Sequence, residues 1–315
     1  MSSLNRKVCQ LNLQTDRKRD GLSRCERHIS VLRRNNPHMD KPTQRHTPFF
    51  RPHVYLEFGK KAFQKRMQYR LANLAGLSTN FFFAAVRIFV FAAFYEAQTA
   101  PQPLNLDEVT TYVCLTQAFL MVMPFFWGNC EITASIKDGS VALQLCKPVD
   151  FYGYWFADEV SKSVYYILMR GLPTFALGKL LFNMQIPLAP VVWLSFVASI
   201  VCTLALSAAL NIAVRGTVFW TLDATGIAGF VSTLVMFFSG FLVPISLWPE
   251  WLQQISAWLP FEGLVHLPFS IYLGKITDGA VFVALAKQVM WFLVFVGVGR
   301  FVLRLGFSRL VVQGG

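Results

Sequence analysis

Residues 131–150 read EITASIKDGSVALQLCKPVD, a polar interlude between two apolar runs that are each long enough to cross a bilayer. Gly139 interrupts any helix descending from the preceding run, Ser140 is suited to cap a new one, and Lys147-Pro148 ends it. Val141 to Leu145 is thereby predicted as one or two helical turns with apolar teeth at Val141, Leu143 and Leu145. A short, stiff projection at the membrane surface is a handle by which a soluble motor can push on a membrane domain. The plain alternative is a polar loop whose leucines rest among the headgroups, and spacing alone leaves both readings open.

Composition points the same way. Of 315 residues, 54% are hydrophobic, 15% aromatic and only 15% charged, against about 25% charged in an ordinary soluble domain; the chain reads as a membrane protein. Cys9, Cys25, Cys114, Cys130, Cys146 and Cys202 show no CxxC pairing and read as free thiols, with neither a disulfide framework nor a zinc site. The net charge of +12 is uneven: residues 1–53 hold 12 Lys and Arg against 4 Asp and Glu, and the remainder holds 17 against 13.

Residues 1–53 lack an apolar run of signal-peptide length and any helical or strand period, so they read as a basic, disordered cytoplasmic extension. Attraction to anionic lipid headgroups or to RNA is the functional alternative, against which stands the lack of aromatic residues among the charges before Phe49; no nucleic-acid partner is expected. Over residues 54–70, Tyr55, Leu56, Phe58, Ala62, Phe63 and Tyr69 gather on one helical face, and Glu57, Lys60, Lys61, Gln64, Lys65 and Gln68 on the other. This predicts an amphipathic interfacial helix with its lysines toward lipid phosphates, although Arg66 spoils the apolar face. The alternative is the frayed start of the first span.

Residues 71–315 read as a membrane domain of six spans, at about 71–95, 109–130, 161–182, 191–214, 221–243 and 280–300. Lys and Arg concentrate before the first span, in the 131–150 interlude, at Arg215 and after the last span. The loop 96–108 has none. The positive-inside bias then places both termini and the interlude in the cytoplasm. Between spans five and six, Pro244, Pro249, Pro260 and Pro268 forbid one continuous helix, and Trp248, Trp251 and Trp258 suit a membrane–water boundary. Two short re-entrant helices with Glu262 and His266 near their tip are expected there; an ordinary external loop with aromatic anchors is the alternative.

Catalytic chemistry is absent from the pattern. Gly59-Lys60, Gly178-Lys179 and Gly274-Lys275 are each followed by Lys, Leu or Ile, so no Walker A loop exists, and GxSxG, HExxH, CxxC and GxGxxG are also missing. Arg87 and Arg170 fall near the middles of spans one and three. An unpaired guanidinium at that depth costs at least about 2.5–3.5 kcal/mol, so each must face protein or water. With Glu262 and His266 they are candidates to line a translocation path; inter-helix pairing is the structural alternative.

The segment Tyr55–Gly315 resembles the permease subunits of ABC type-2 exporters, in the bacterial branch whose ATPase is a separate chain. The likeness rests on KRMQYRLANL before span one, SIKDGSVALQLCKPVDFYGY, and SGFLVPISLWPEWLQQISAWLPF before the last span, followed by a basic tail ending VVQGG. It implies an all-α membrane fold with an interfacial helix, a cytoplasmic coupling helix between spans two and three, and re-entrant helices before span six. Ile136, Lys137, Gly139, Val141, Leu143, Leu145, Lys147 and Pro148 would then seat in an ATPase cleft. The resemblance further implies an ABC ATPase partner that uses ATP and Mg²⁺, no cofactor on this chain, and a second permease chain, identical or paralogous, in a bacterial plasma membrane. A stand-alone secondary carrier or channel is a rival reading, but neither inverted repeats nor clustered midplane acids are evident. A non-transporting scaffold that recruits partners through the basic extension is another.

Overall fold

A computed structural model describes residues 52–308, except 69, 98–100, 123–130, 146–148, 183 and 222–224. Most of the expected basic extension, and Lys147 and Pro148, lie outside the described residues. Among the described residues the chain is helical throughout, with no strand. Three helices are long and apolar enough to cross a membrane: Asn73–Ala97, Pro190–Thr221 and Gly279–Phe307. At 1.5 Å per residue the shortest, with 25 residues, outreaches a hydrocarbon core of about 30 Å.

The first elements are α1 (Pro52–Arg66) and α2 (Arg70–Ala97). Helix α1 starts inside the expected extension because Pro52 suits a first helical turn, where its missing N–H has no partner to lose. Along α2, Phe82 and Phe89 are 61% and 67% exposed, a face that water would penalise and lipid would not. Next come α3 (Leu106–Phe119) and a 3₁₀ turn over Leu120–Val122. The expected second span begins at 109, but the helix opens at Leu106: Asn105 accepts from the Glu108 amide at 2.8 Å, and Glu108 accepts from the Asn105 amide at 2.9 Å. This reciprocal cap satisfies two amides that the helix leaves open.

After α4 (Glu131–Lys137) and α5 (Val141–Leu145) comes α6 (Phe151–Tyr166), a π turn over Ile167–Gly171 and α7 (Leu172–Leu181). The expected span 161–182 therefore belongs to a helical run that starts ten residues earlier, where Asp150 accepts from the Gly153 amide at 2.7 Å. Pro173 is tolerated because the α-helical ladder is already broken by the π turn before it.

Helix α8 (Pro190–Arg215) is followed by α9 (Val218–Thr221) and α10 (Thr225–Phe238). Helix α8 is the central post, with Ser199, Thr203, Leu206, Ser207 and Asn211 all buried. Helix α10 stops at Phe238, short of the expected span limit at 243, because Gly240 turns into the left-handed region at φ 80°. Short elements follow: α11 (Glu250–Trp258), a 3₁₀ segment over Pro260–Leu264 and α12 (His266–Tyr272). These are the two short helices that the prolines predict. The last helix, α13 (Gly279–Phe307), packs along α8 and outruns the expected 280–300 at its C-terminal end.

Candidate coupling site

Helix α4, the turn Asp138–Ser140 and α5 form a bracket. Asp138 Oδ1 accepts from the Ser140 amide at 2.9 Å, and these bonds with Ser140 hold the Asp138 carboxyl below the usual carboxylate range. Gly139 occupies the left-handed region at φ 76°, with open space where a side chain would stand. The constraint there is backbone conformation and not crowding.

The bracket is seated by two apolar side chains. Ile132 and Val141 are 1% and 0% exposed and join Phe151, Tyr152, Trp155, Ile212 and Leu303 in one cluster, with Ile136 packed against its edge. Phe307 closes on Phe151, ring centres 5.2 Å apart, and on Phe219 at 5.7 Å. The base therefore combines the start of α6, the end of α8 near Arg215, and the last turns of α13. Val141, expected as an outward tooth, points into this base. Leu145, one turn further along the same side of the helix, lies past the cluster and is 39% exposed. Lys137 and Gly139 are exposed as well. The Leu143 side chain lies outside the described residues.

Helix α1 is tied to the bracket and to α6. Lys65 Nζ pairs with Glu131 Oε1 at 2.8 Å. Phe58 meets Tyr154 edge-on at 5.0 Å, Phe63 meets Tyr165 at 5.2 Å, and the Asp150 amide donates to the Tyr55 hydroxyl at 3.2 Å. The apolar face expected to rest in lipid is thus largely covered by α6, while Lys60 and Lys61 stay exposed, Lys60 bonding Glu57 at 2.6 Å. Arg66 no longer spoils that face. Its Nη2 reaches Asp158 Oδ1 at 3.4 Å, and Lys162 Nζ bonds Asp158 at 3.1 Å and Glu159 at 2.6 Å. All four side chains are at most 14% exposed, and a buried pair of this kind is costly to break from one side. Asp158 and Glu159 were not singled out from the sequence, although their spacing to Lys162, four and three residues, is the signal for a helical ion pair.

The four candidates for a translocation path have protein partners. Arg87 Nη1 donates to Thr116 Oγ1 at 2.9 Å, and its Nη2 donates to the carbonyls of Phe241 at 2.6 Å and Leu242 at 2.9 Å. Arg170 sits on the π turn, over the Tyr166 ring and 3.3 Å from Met121 Sδ, and a Cβ on Gly76 would come within 2.2 Å of its guanidinium carbon. Glu262 pairs with Lys287, which lies on α13. His266 lies 3.4 Å from the Ser270 hydroxyl. Arg87 and Arg170 thus bind different partners from one another and from the Glu262 pair.

Beside that pair lies a buried junction that sequence reading missed. Gln288 Nε2 donates to the Gly263 carbonyl at 2.7 Å and to Thr203 Oγ1 at 3.1 Å, while Ser199 Oγ donates to Gln288 Oε1 at 3.0 Å. It pins α8, α13 and the 260–264 turn together. A lone amide in an apolar run, polar at a position where hydrocarbon is expected, was the available signal. Among the described residues, no three His, Cys, Asp or Glu side chains converge as metal ligands do.

An all-helical chain with three membrane-length helices and a seated surface bracket defines a multi-pass membrane protein. The profile of the family described as "ABC-2 family transporter protein" matches residues 81–314, and the chain belongs to that family. It is therefore a transporter membrane component of that kind. A search of curated proteins finds no significant match to it.

Proposed function

We propose that this chain is the permease subunit of an ATP-driven exporter whose ATPase is a separate polypeptide. The observation that carries the reading is the seating of the bracket: Ile132 and Val141 are locked into a base built from α6, α8 and α13, while Lys137, Gly139 and Leu145 face outward. A force on the exposed side would be delivered through that base to α6, α8 and α13 at once. Rigid-body movement of packed helices is an established way to turn a local push into a large rearrangement.

In this reading the chain crosses the membrane six times with both termini in the cytoplasm. The spans are carried by α2, α3 with its continuation, α6 to α7, α8, the α10 region and α13. Two such chains, identical or paralogous, enclose the path in a bacterial plasma membrane, and the ATPase supplies the site for ATP and Mg²⁺. Arg87, by contrast, serves as a structural clamp. The test is co-expression with a candidate ATPase chain that carries a Walker A loop. Recovery of a stable complex that moves substrate only with ATP supports the proposal; transport by the purified chain alone would replace it with a carrier.

A further inference from the structure

Helices α1, α6 and α13 enclose a groove of about 870 Å³, within the range of about 300–1,000 Å³ typical of small-molecule sites. Its walls are apolar: Leu56 and Phe63 from α1, Val160 and Val164 from α6, and Phe292 and Val296 from α13. Two cations stand among the lining residues, Lys60 and Arg300, with side chains 67% and 62% exposed, and Lys60 also bonds the Glu57 carboxylate at 2.6 Å. Arg300 lies over the Tyr152 ring and keeps only a long approach, 3.8 Å, to Asp150, whose carboxylate is engaged at 2.7 Å by the Gly153 amide. Arg300 thus retains most of its capacity to bind an anion.

We infer that this groove holds one anionic glycerophospholipid, its phosphate against Arg300 and Lys60 and one acyl chain between Val160, Val164, Phe292 and Val296. Charge complementarity selects the occupant. Arg300, held only at long range by Asp150, is the anion-binding group of the mouth, and Lys60, shared with Glu57, adds a second contact, so an amphiphile with a net negative head gains more there than a zwitterionic one. Continuity with the outer surface argues in the same direction. Val164 on the wall is itself partly exposed, and Leu293, next to the wall residue Phe292, is strongly exposed. An acyl chain can therefore slide in from the bilayer, with no route through water. Occupancy would brace α1 against α13 beside the base on which the bracket sits. The inference depends on membrane placement of the chain and not on an ATPase partner.

The test uses the full chain purified in a neutral detergent and titrated separately with dioleoyl phosphatidylglycerol and dioleoyl phosphatidylcholine, with bound lipid counted by native mass spectrometry. One phosphatidylglycerol should be retained in preference to phosphatidylcholine. R300Q and K60Q should each weaken phosphatidylglycerol retention about fivefold, which is about 1 kcal/mol, and leave phosphatidylcholine unchanged. V160W, which fills the slot, should remove both lipids; V296W fills it from the other wall and replaces V160W if that variant is not monodisperse. Equal retention of the two lipids, indifference to R300Q and K60Q, or wild-type binding by the filled variant would overturn the inference. Displacement by excess inorganic phosphate would overturn it too, by marking a site for free anions. Loss of the lipid preference alongside intact ATPase association would sink this inference alone.

Discussion

Arg87 Nη2 donates to the carbonyl oxygen of Phe241 at 2.6 Å, joining residues 154 positions apart in the chain. The bond belongs to a series. Where α10 unwinds, the carbonyl of Phe238 accepts from Ser256, that of Ser239 from the His266 amide, that of Gly240 from Tyr112, and those of Phe241 and Leu242 from Arg87. Five consecutive carbonyls beyond the end of the α10 ladder are answered by protein donors, the condition under which broken backbone is tolerated away from water.

Replacing Arg87 by Met should therefore act on stability before it acts on transport. Losing charged donors to buried carbonyls costs about 2–3 kcal/mol. Thermal unfolding of the purified chain should shift clearly downward for R87M and less for R87K; an unchanged unfolding curve for R87M would remove the clamp from the account.

The Arg66–Asp158 pair makes a prediction about α1. R66M or D158N alone leaves charge uncompensated in a buried cluster, at a cost of about 3 kcal/mol. The double variant should recover part of that loss. Spin labels at positions 61 and 154 should report a broader distance distribution for either single variant than for the wild type.

Gly76 leaves the space that the Arg170 guanidinium fills. G76L should destabilise the chain, and adding R170M should relieve much of the damage because the obstacle has gone. Strict additivity of the two changes in thermal unfolding would show that they do not meet.

Acid should loosen the bracket turn. The folded carboxyl of Asp138 titrates below its ordinary value because of its bonds with Ser140. Its contribution is then complete above the ordinary carboxylate range and fades as pH falls through the depressed one. Corrected for intrinsic rate, hydrogen exchange at the Ser140 amide should stay protected at neutral pH and lose protection in strong acid, and D138A should lack protection at both.

How much of this could be read in advance follows from the kind of interaction involved. Long apolar runs specify helices by themselves, so α2, α8 and α13 were legible, and Gly139 followed by Val141–Leu145 announced a turn and a short helix. Proline spacing similarly exposed the broken segment before α13. Local capping signals were present but unused: Asn105 with Glu108, and Asp150, start helices earlier than hydropathy suggests. Orientation within the bracket was hidden, because Val141 and Leu145 lie one turn apart on the same helical face, and only the extent of the cluster beneath them separates the buried residue from the exposed one. Partners far apart in sequence were hidden as well. Nothing in the surroundings of Arg66 names Asp158, and nothing near Arg87 names Phe241.

The claim on which the rest turns is that the outward side of the bracket receives force from an ATPase. It is tested most directly in the assembled complex, by measuring ATPase association and substrate-stimulated hydrolysis for K137E and L145D. Both variants alter exposed positions and leave the Ile132 and Val141 seat intact. The account predicts folded permease with lost association or uncoupled hydrolysis, and full association with normal stimulation in both variants would contradict it.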